Sequence, residues 1–143
     1  MGAKLVVDQA VAADPARVYA AWTSAEDLAR WWWPHIPDTT YEVDARVGGR
    51  YQIRSSSAGI GAGGEFLELD EPRLIRMTWS WMDDGVSQVE EQVRVGFAPI
   101  PDGTLVTLIH ELSPLAGDGE DLRQGWDDVL ARLAERYGAA DDV

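Results

Sequence analysis

The sequence has no cysteine and only two histidines, His35 and His110. Disulfides and thiol nucleophiles are therefore excluded, and a structural zinc site of the His/Cys kind cannot be assembled. Basic residues are also scarce: 12 Lys and Arg stand against 25 Asp and Glu, giving a formal charge of −13. A surface that acidic repels phosphate backbones and anionic lipid, which argues against nucleic acid and membranes as partners. No stretch approaches the ~18 apolar residues of a membrane span. The N-terminus lacks the basic-then-apolar layout of a signal peptide, so a cytoplasmic location is expected. No Gly-x-Ser-x-Gly nucleophile elbow is present, and neither a metal nor another cofactor is expected.

What the chain has in quantity is apolar surface. It is 45% hydrophobic and holds seven Trp, which excludes disorder. Its 143 residues are enough for one domain with a real core, expected over 1–138, with 139–143 as a frayed tail. Lys4–Val11 alternates as a first strand. Asp14-Pro15 caps one short helix with Val18, Tyr19 and Trp22 on its buried side, and Ser24 opens a second, ended by Pro34. That second helix is acidic and Trp-rich, so DNA reading by a helix–turn–helix is rejected. From Thr39 the period becomes two, with strands at Thr39–Asp44, Gly49–Ser56, Glu65–Asp70, Leu74–Met82, Gln88–Phe97 and Thr104–Leu112. Turn-forming residues separate them. Connections that short imply an antiparallel meander. Gly119–Tyr137 then spaces Leu122, Trp126, Val129, Leu130, Leu133 and Tyr137 on one helical stripe, with Gly138 suited to the left-handed position after it. The stripe must bury itself against the sheet. The fold class is thus α+β: seven antiparallel strands around a long C-terminal helix.

One polar residue interrupts an apolar row. Val89, Glu91, Val93, Val95 and Phe97 share a face. Pairing Phe97 with Thr104 sets Glu91 opposite His110, and pairing Met82 with Gln88 sets it opposite Trp79. A Trp79–Glu91–His110 rung facing the helix is expected, because a buried carboxylate needs a partner. In Thr104–Leu112 both rows are mixed, so pattern leaves the inward row open.

Other motifs have plainer readings. Gly59-Ile-Gly-Ala-Gly-Gly64 matches G-x-G-x-x-G, but the helix that a dinucleotide fingerprint needs does not follow. Ser55–Gly64 is read as a long hairpin loop, a lid over a cavity mouth. Asp118, Glu120, Asp121, Asp127 and Asp128 lack calcium-loop spacing and match the helix dipole. His35 is expected at the surface. Trp31, Trp32 and Trp33 cannot all point inward, so at least one should face a cavity or a partner.

Asp14-Pro-Ala-Arg-Val-Tyr-Ala-Ala-Trp-Thr-Ser24, Leu28-Ala-Arg-Trp-Trp-Trp-Pro34 and Asp44-Ala-Arg-Val-Gly-Gly-Arg-Tyr51 resemble the activator of heat-shock protein 90 ATPase homologue family. Gly64-Glu-Phe-Leu-Glu-Leu-Asp-Glu-Pro72, Arg73-Leu74 with Thr78-Trp79, Gly103-Thr104 with His110, and Gly125-Trp126 continue the likeness in order. The resemblance implies a START-like (SRPBCC) helix-grip fold with a cavity between sheet and helix. Members of that superfamily bind lipids, sterols, plant hormones or polyketides, and some are cyclases. The cochaperone that names the family carries a second domain not found in this sequence, so chaperone activation is not among the expectations. The sequence departs from shorter relatives in its Ser55–Gly64 segment.

The expected function is binding of an apolar, aromatic or ring-containing small molecule. The expected walls are Trp31 or Trp33, Tyr51, Ile53, Leu67, Met77, Trp79, Val93, Leu108, Trp126, Val129 and Leu133, with Glu91 and His110 as orienting polar groups. Leu122, Leu130 and Tyr137 are expected to pack instead. The alternatives are a cyclase- or dehydratase-type enzyme with His110 and Glu91 as acid and base, and a protein-interaction module. A homodimer is left open.

Overall fold

Alternation decides the first element: Leu5, Val7 and Val11 are buried while their neighbours face outward along β1 (Lys4–Val11). The computed structural model describes residues 4–83, 86–87, 89–113 and 120–137. After β1 come α1 (Pro15–Trp22), α2 (Ala25–Trp31), β2 (Thr39–Val43), β3 (Arg50–Ser55), β4 (Ile60–Asp70), β5 (Leu74–Asp83), β6 (Val86–Ser87), β7 (Glu91–Ile100), β8 (Gly103–Glu111) and α3 (Glu120–Tyr137). Both short helices start as their sequences require. Asp14 accepts the Arg17 N–H at 2.9 Å, and Ser24 accepts the Asp27 N–H at 3.3 Å. Gly119 and Gly138, the residues expected to flank α3, lie outside the described residues, as do 139–143. No described helix is long and apolar enough to cross a membrane.

The antiparallel sheet runs β1-β8-β7-β5-β4-β3-β2, seven strands in one path, with the two-residue β6 against β5. α3 packs against β1 and α2. Most of the stability of its 18 residues comes from packing the apolar stripe. Leu130 and Leu133 are fully enclosed, each worth about 1.5–3 kcal/mol relative to exposure. Its C-terminal turn is clasped to the short helices: the Tyr137 hydroxyl donates to Asp27 at 2.9 Å, and the Arg17 guanidinium lies 4.5 Å from the Tyr137 ring centroid.

Three expectations are corrected. The glycine-rich stretch from Ile60 is strand, so the Ser55–Gly64 lid shrinks to a short turn between Ser55 and Ile60, which pair. Glycine serves there because the strands approach closely. A Cβ on Gly64 would stand 2.1 Å from the Thr78 carbonyl oxygen. A register shift between Phe66 and Glu68 then changes which residues of β4 face inward. Phe66 is buried and Leu67, the expected wall residue, is only half-buried. Finally, the last hairpin turns on Pro101 and Asp102, pairing Ile100 with Gly103 and Phe97 with Val106 rather than Thr104. The slip is two residues, which preserves the facing of every side chain.

Candidate functional site

Where β5, β7 and β8 lie side by side, their inward rows bring Trp79, Glu91 and His110 together. Trp79 pairs directly with Glu91. His110 pairs with Val93 on one side and Leu5 on the other, so it meets Glu91 diagonally and not across the rung. The contact forms nonetheless. His110 Nε2 lies 2.7 Å from Glu91 Oε1, and the Ser113 N–H donates to Glu91 Oε2 at 2.7 Å. From α3, the Trp126 indole N–H donates to His110 Nδ1 at 3.0 Å.

These partners fix the chemistry of the imidazole. An indole nitrogen can only donate, so Nδ1 accepts and the ring proton sits on Nε2, which donates to Glu91. A doubly protonated ring would set two N–H groups against each other. Burial pushes the His110 pKa below its ordinary value, offset in part by the hydrogen bond and charge of Glu91. Geometry and solvation therefore agree on a neutral imidazole with both nitrogens occupied.

Around this pair the indole rings gather. Trp79 and Trp126 lie 5.0 Å apart between centroids, Trp32 and Trp126 5.3 Å, and Trp32 and Trp79 6.0 Å. They line a cavity of about 810 Å³ with Trp33, Trp81, Glu91, Ser113 and the Leu122, Gly125, Trp126, Val129 face of α3. That volume lies within the roughly 300–1,000 Å³ of small-molecule sites. Trp33 and Trp81 meet edge to face at 5.8 Å, both half-buried. Trp33 adopts φ 56°, a left-handed conformation costly for a bulky side chain, as the backbone leaves α2. The Tyr41 hydroxyl donates to the Trp32 carbonyl and secures that exit. A smaller, polar depression of about 490 Å³, with Glu42, Asp44, Arg50 and Gln52 on its walls, lies at β2 and β3.

Of the expected wall residues, Trp33, Trp79, Glu91, Trp126 and Val129 line the cavity. The others do not. Trp31 turns inward and donates its N–H to the Ala21 carbonyl at 3.1 Å. Its neighbour Trp32 takes the wall position. Tyr51 borders the smaller depression and donates to the Thr78 carbonyl at 2.6 Å. Ile53, Met77, Val93, Leu108 and Leu133 are core. His110 is fully buried behind Glu91 and Trp126. Leu122, expected to pack, lines the cavity, as do Ile60, Asp83 and Val89. Trp81, on the alternating face of Trp79, lines it too. His35 is exposed, as expected.

Comparison with known proteins places this geometry. No functionally curated protein matches the sequence. Protein CV1439 from Chromobacterium violaceum is 28% identical, with a TM-score of 0.77, over 94% of this chain and 96% of its own. An AHSA1-like protein from Aeromonas hydrophila is 25% identical, with a TM-score of 0.69, over 94% of this chain and 91% of its own. DynU16, from the dynemicin biosynthetic locus, shares the fold at 21% identity and a TM-score of 0.77. The match covers 92% of this chain but only 46% of DynU16. The architecture is the α+β helix grip of the SRPBCC proteins, and it fits a ligand-binding domain. The model of the family described as activator of Hsp90 ATPase homolog 1-like protein matches residues 12–138, and the chain belongs to that family.

Proposed function

We propose that this chain is a small-molecule-binding domain that holds an apolar, ring-containing ligand in the cavity between the sheet and α3. One observation carries the reading: five indole rings, from Trp32, Trp33, Trp79, Trp81 and Trp126, surround a space of about 810 Å³. Aromatic walls with a few placed polar groups are the usual makeup of such sites. The acid–base alternative has less support. Both nitrogens of His110 are committed to Glu91 and Trp126, and no part of the ring is exposed to a substrate. An interaction module has less still, because the exposed large hydrophobics among the described residues, Val6 on β1 and Val47 and Val89 in two different connections, are far apart in sequence.

Gly125 makes the test clean. It lines the cavity from α3, and a Cβ there meets nothing within 4 Å. Gly125→Leu should intrude on the space while improving helix propensity by about 0.5–1 kcal/mol. The neutral apolar dye N-phenyl-1-naphthylamine should bind the wild-type chain at one site, and the Leu variant should bind it more weakly while melting no lower. Native mass spectrometry of protein purified without denaturant should show a co-purifying small molecule on the wild type and less of it on the variant. Equal dye binding by both proteins would remove the cavity as the binding site.

A further inference from the structure

The walls are rich in π surface and acidic charge and poor in donors. Three of the five indoles have their N–H turned away from the space. Trp126 gives its N–H to His110, and the Nε1 atoms of Trp32 and Trp79 are buried from solvent without a hydrogen-bond partner among the described residues. Those two rings sit in edge-to-face and tilted contacts with other indoles. Trp32 meets Trp126 at 80° and Trp22 at 88°. In such contacts a ring's positive edge finds a neighbour's electron-rich face. What those three rings leave for an occupant is carbon edge and π face. The charged side chains on the wall are Glu91 and Asp83, and no Lys, Arg or His is among the described lining residues. Both Glu91 oxygens already accept hydrogen bonds, so its charge acts on an occupant through space. The chain's charge of −13 adds to the same field.

An anion would find two carboxylates and no cationic side chain among the described lining residues. A positive charge would find tryptophan faces, the strongest cation–π partners among side chains, and two carboxylates. We propose that the ligand of this cavity is an organic cation, a tertiary or quaternary ammonium on an apolar ring-containing body. The proposal rests on the reading of the cavity as a ligand site and names the charge of what fills it. Fatty acids and other carboxylate amphiphiles are excluded by the same logic.

A matched set of probes isolates the charge: (1-naphthylmethyl)trimethylammonium, its neutral isostere 1-neopentylnaphthalene, and the anion 1-naphthylacetate. Equilibrium dialysis against the full chain should rank the cation about tenfold or more above the isostere, a difference of about 1.4 kcal/mol. The anion should show no saturable binding. Trp33→Leu and Trp81→Leu alter half-buried residues at the cavity. Each should weaken the cation by a larger factor than the isostere, so that the cation's advantage shrinks, and Asp83→Asn should weaken the cation alone. An isostere as tight as the cation, or a bound anion, overturns the cation proposal and leaves the cavity a ligand site. Binding of none of the three overturns both readings.

Discussion

Glu91→Gln replaces one atom at the centre of the buried network and should be costly for a reason that sterics do not supply. The donors converge on Glu91 from both ends. The Trp126 N–H fills His110 Nδ1, which directs Nε2–H at Oε1, while the Ser113 N–H takes Oε2. A carboxylate accepts at both oxygens; an amide accepts at one and donates at the other. Whichever way the new amide at position 91 turns, one of its N–H groups faces another N–H. The loss is one hydrogen bond plus one buried donor left unpaired, about 1–3 kcal/mol. At about 3 °C per kcal/mol for a domain of this size, the melting temperature should fall by about 3–9 °C. Scanning calorimetry at pH 8, where the imidazole is neutral, measures this directly. A double-mutant cycle with Trp126→Phe tests the cause. Without the indole donor, the imidazole proton can move to Nδ1, and Nε2 can accept from the amide. The penalty of Glu91→Gln should then shrink by about 0.5 kcal/mol or more, so the two changes are less than additive. Strict additivity, or a Glu91→Gln protein as stable as the wild type, refutes the assignment of donors and acceptors.

Two further outcomes follow from the same geometry. Because burial holds the His110 pKa below its ordinary value, the unfolded chain takes up this proton first as pH falls. The stability from the neutral ring is present above about pH 6.5 and is lost below it, toward the lower folded value, at no more than about 1.4 kcal/mol per pH unit. Urea titrations between pH 8 and pH 5 should show the gap between wild type and His110→Gln narrowing with acidification; a widening gap would contradict the sign. Tyr51→Phe removes the buried hydroxyl that donates to the Thr78 carbonyl. It should cost about 1 kcal/mol in chemical denaturation and leave dye affinity unchanged, because Tyr51 is not on the cavity wall; a loss of affinity would return Tyr51 to the site.

The faces of β1, β5 and β7 were legible in the sequence; that of β8, with two mixed rows, was not, and neither were positions along the strands. Alternation alone set Glu91 among Val93, Val95 and Phe97, all now buried, and turn residues located the hairpins. It also set the stripe of α3. The Glu91–His110 contact survived an incorrect register because an error of two residues keeps both side chains on one face. Alternation cannot say where along an inward row the helix stops covering the sheet. Met77 lies in the core, while Trp79 and Trp81, farther along the same row of β5, line the cavity. Leu67 was misplaced by a bulge, an insertion in pairing that leaves no mark in the apolar pattern. Gly61, Gly63 and Gly64 read as loop because glycine's low strand propensity conceals a need for closeness, which only the neighbouring strands reveal.

The three adjacent tryptophans at the end of α2 divide their labour by position. Trp31 is tied to the backbone of α1, Trp32 belongs to the inner wall, and Trp33 stands half-exposed where the backbone turns left-handed. A change at position 31 therefore endangers the fold, and one at 32 alters fold and pocket together. One at 33 alters a half-buried part of the wall and can even relieve the strain of its backbone, as glycine would. Neighbouring codons thus differ in the freedom that selection has to act on them. Of the three, position 33 is where the cavity wall can change at the least cost to folding.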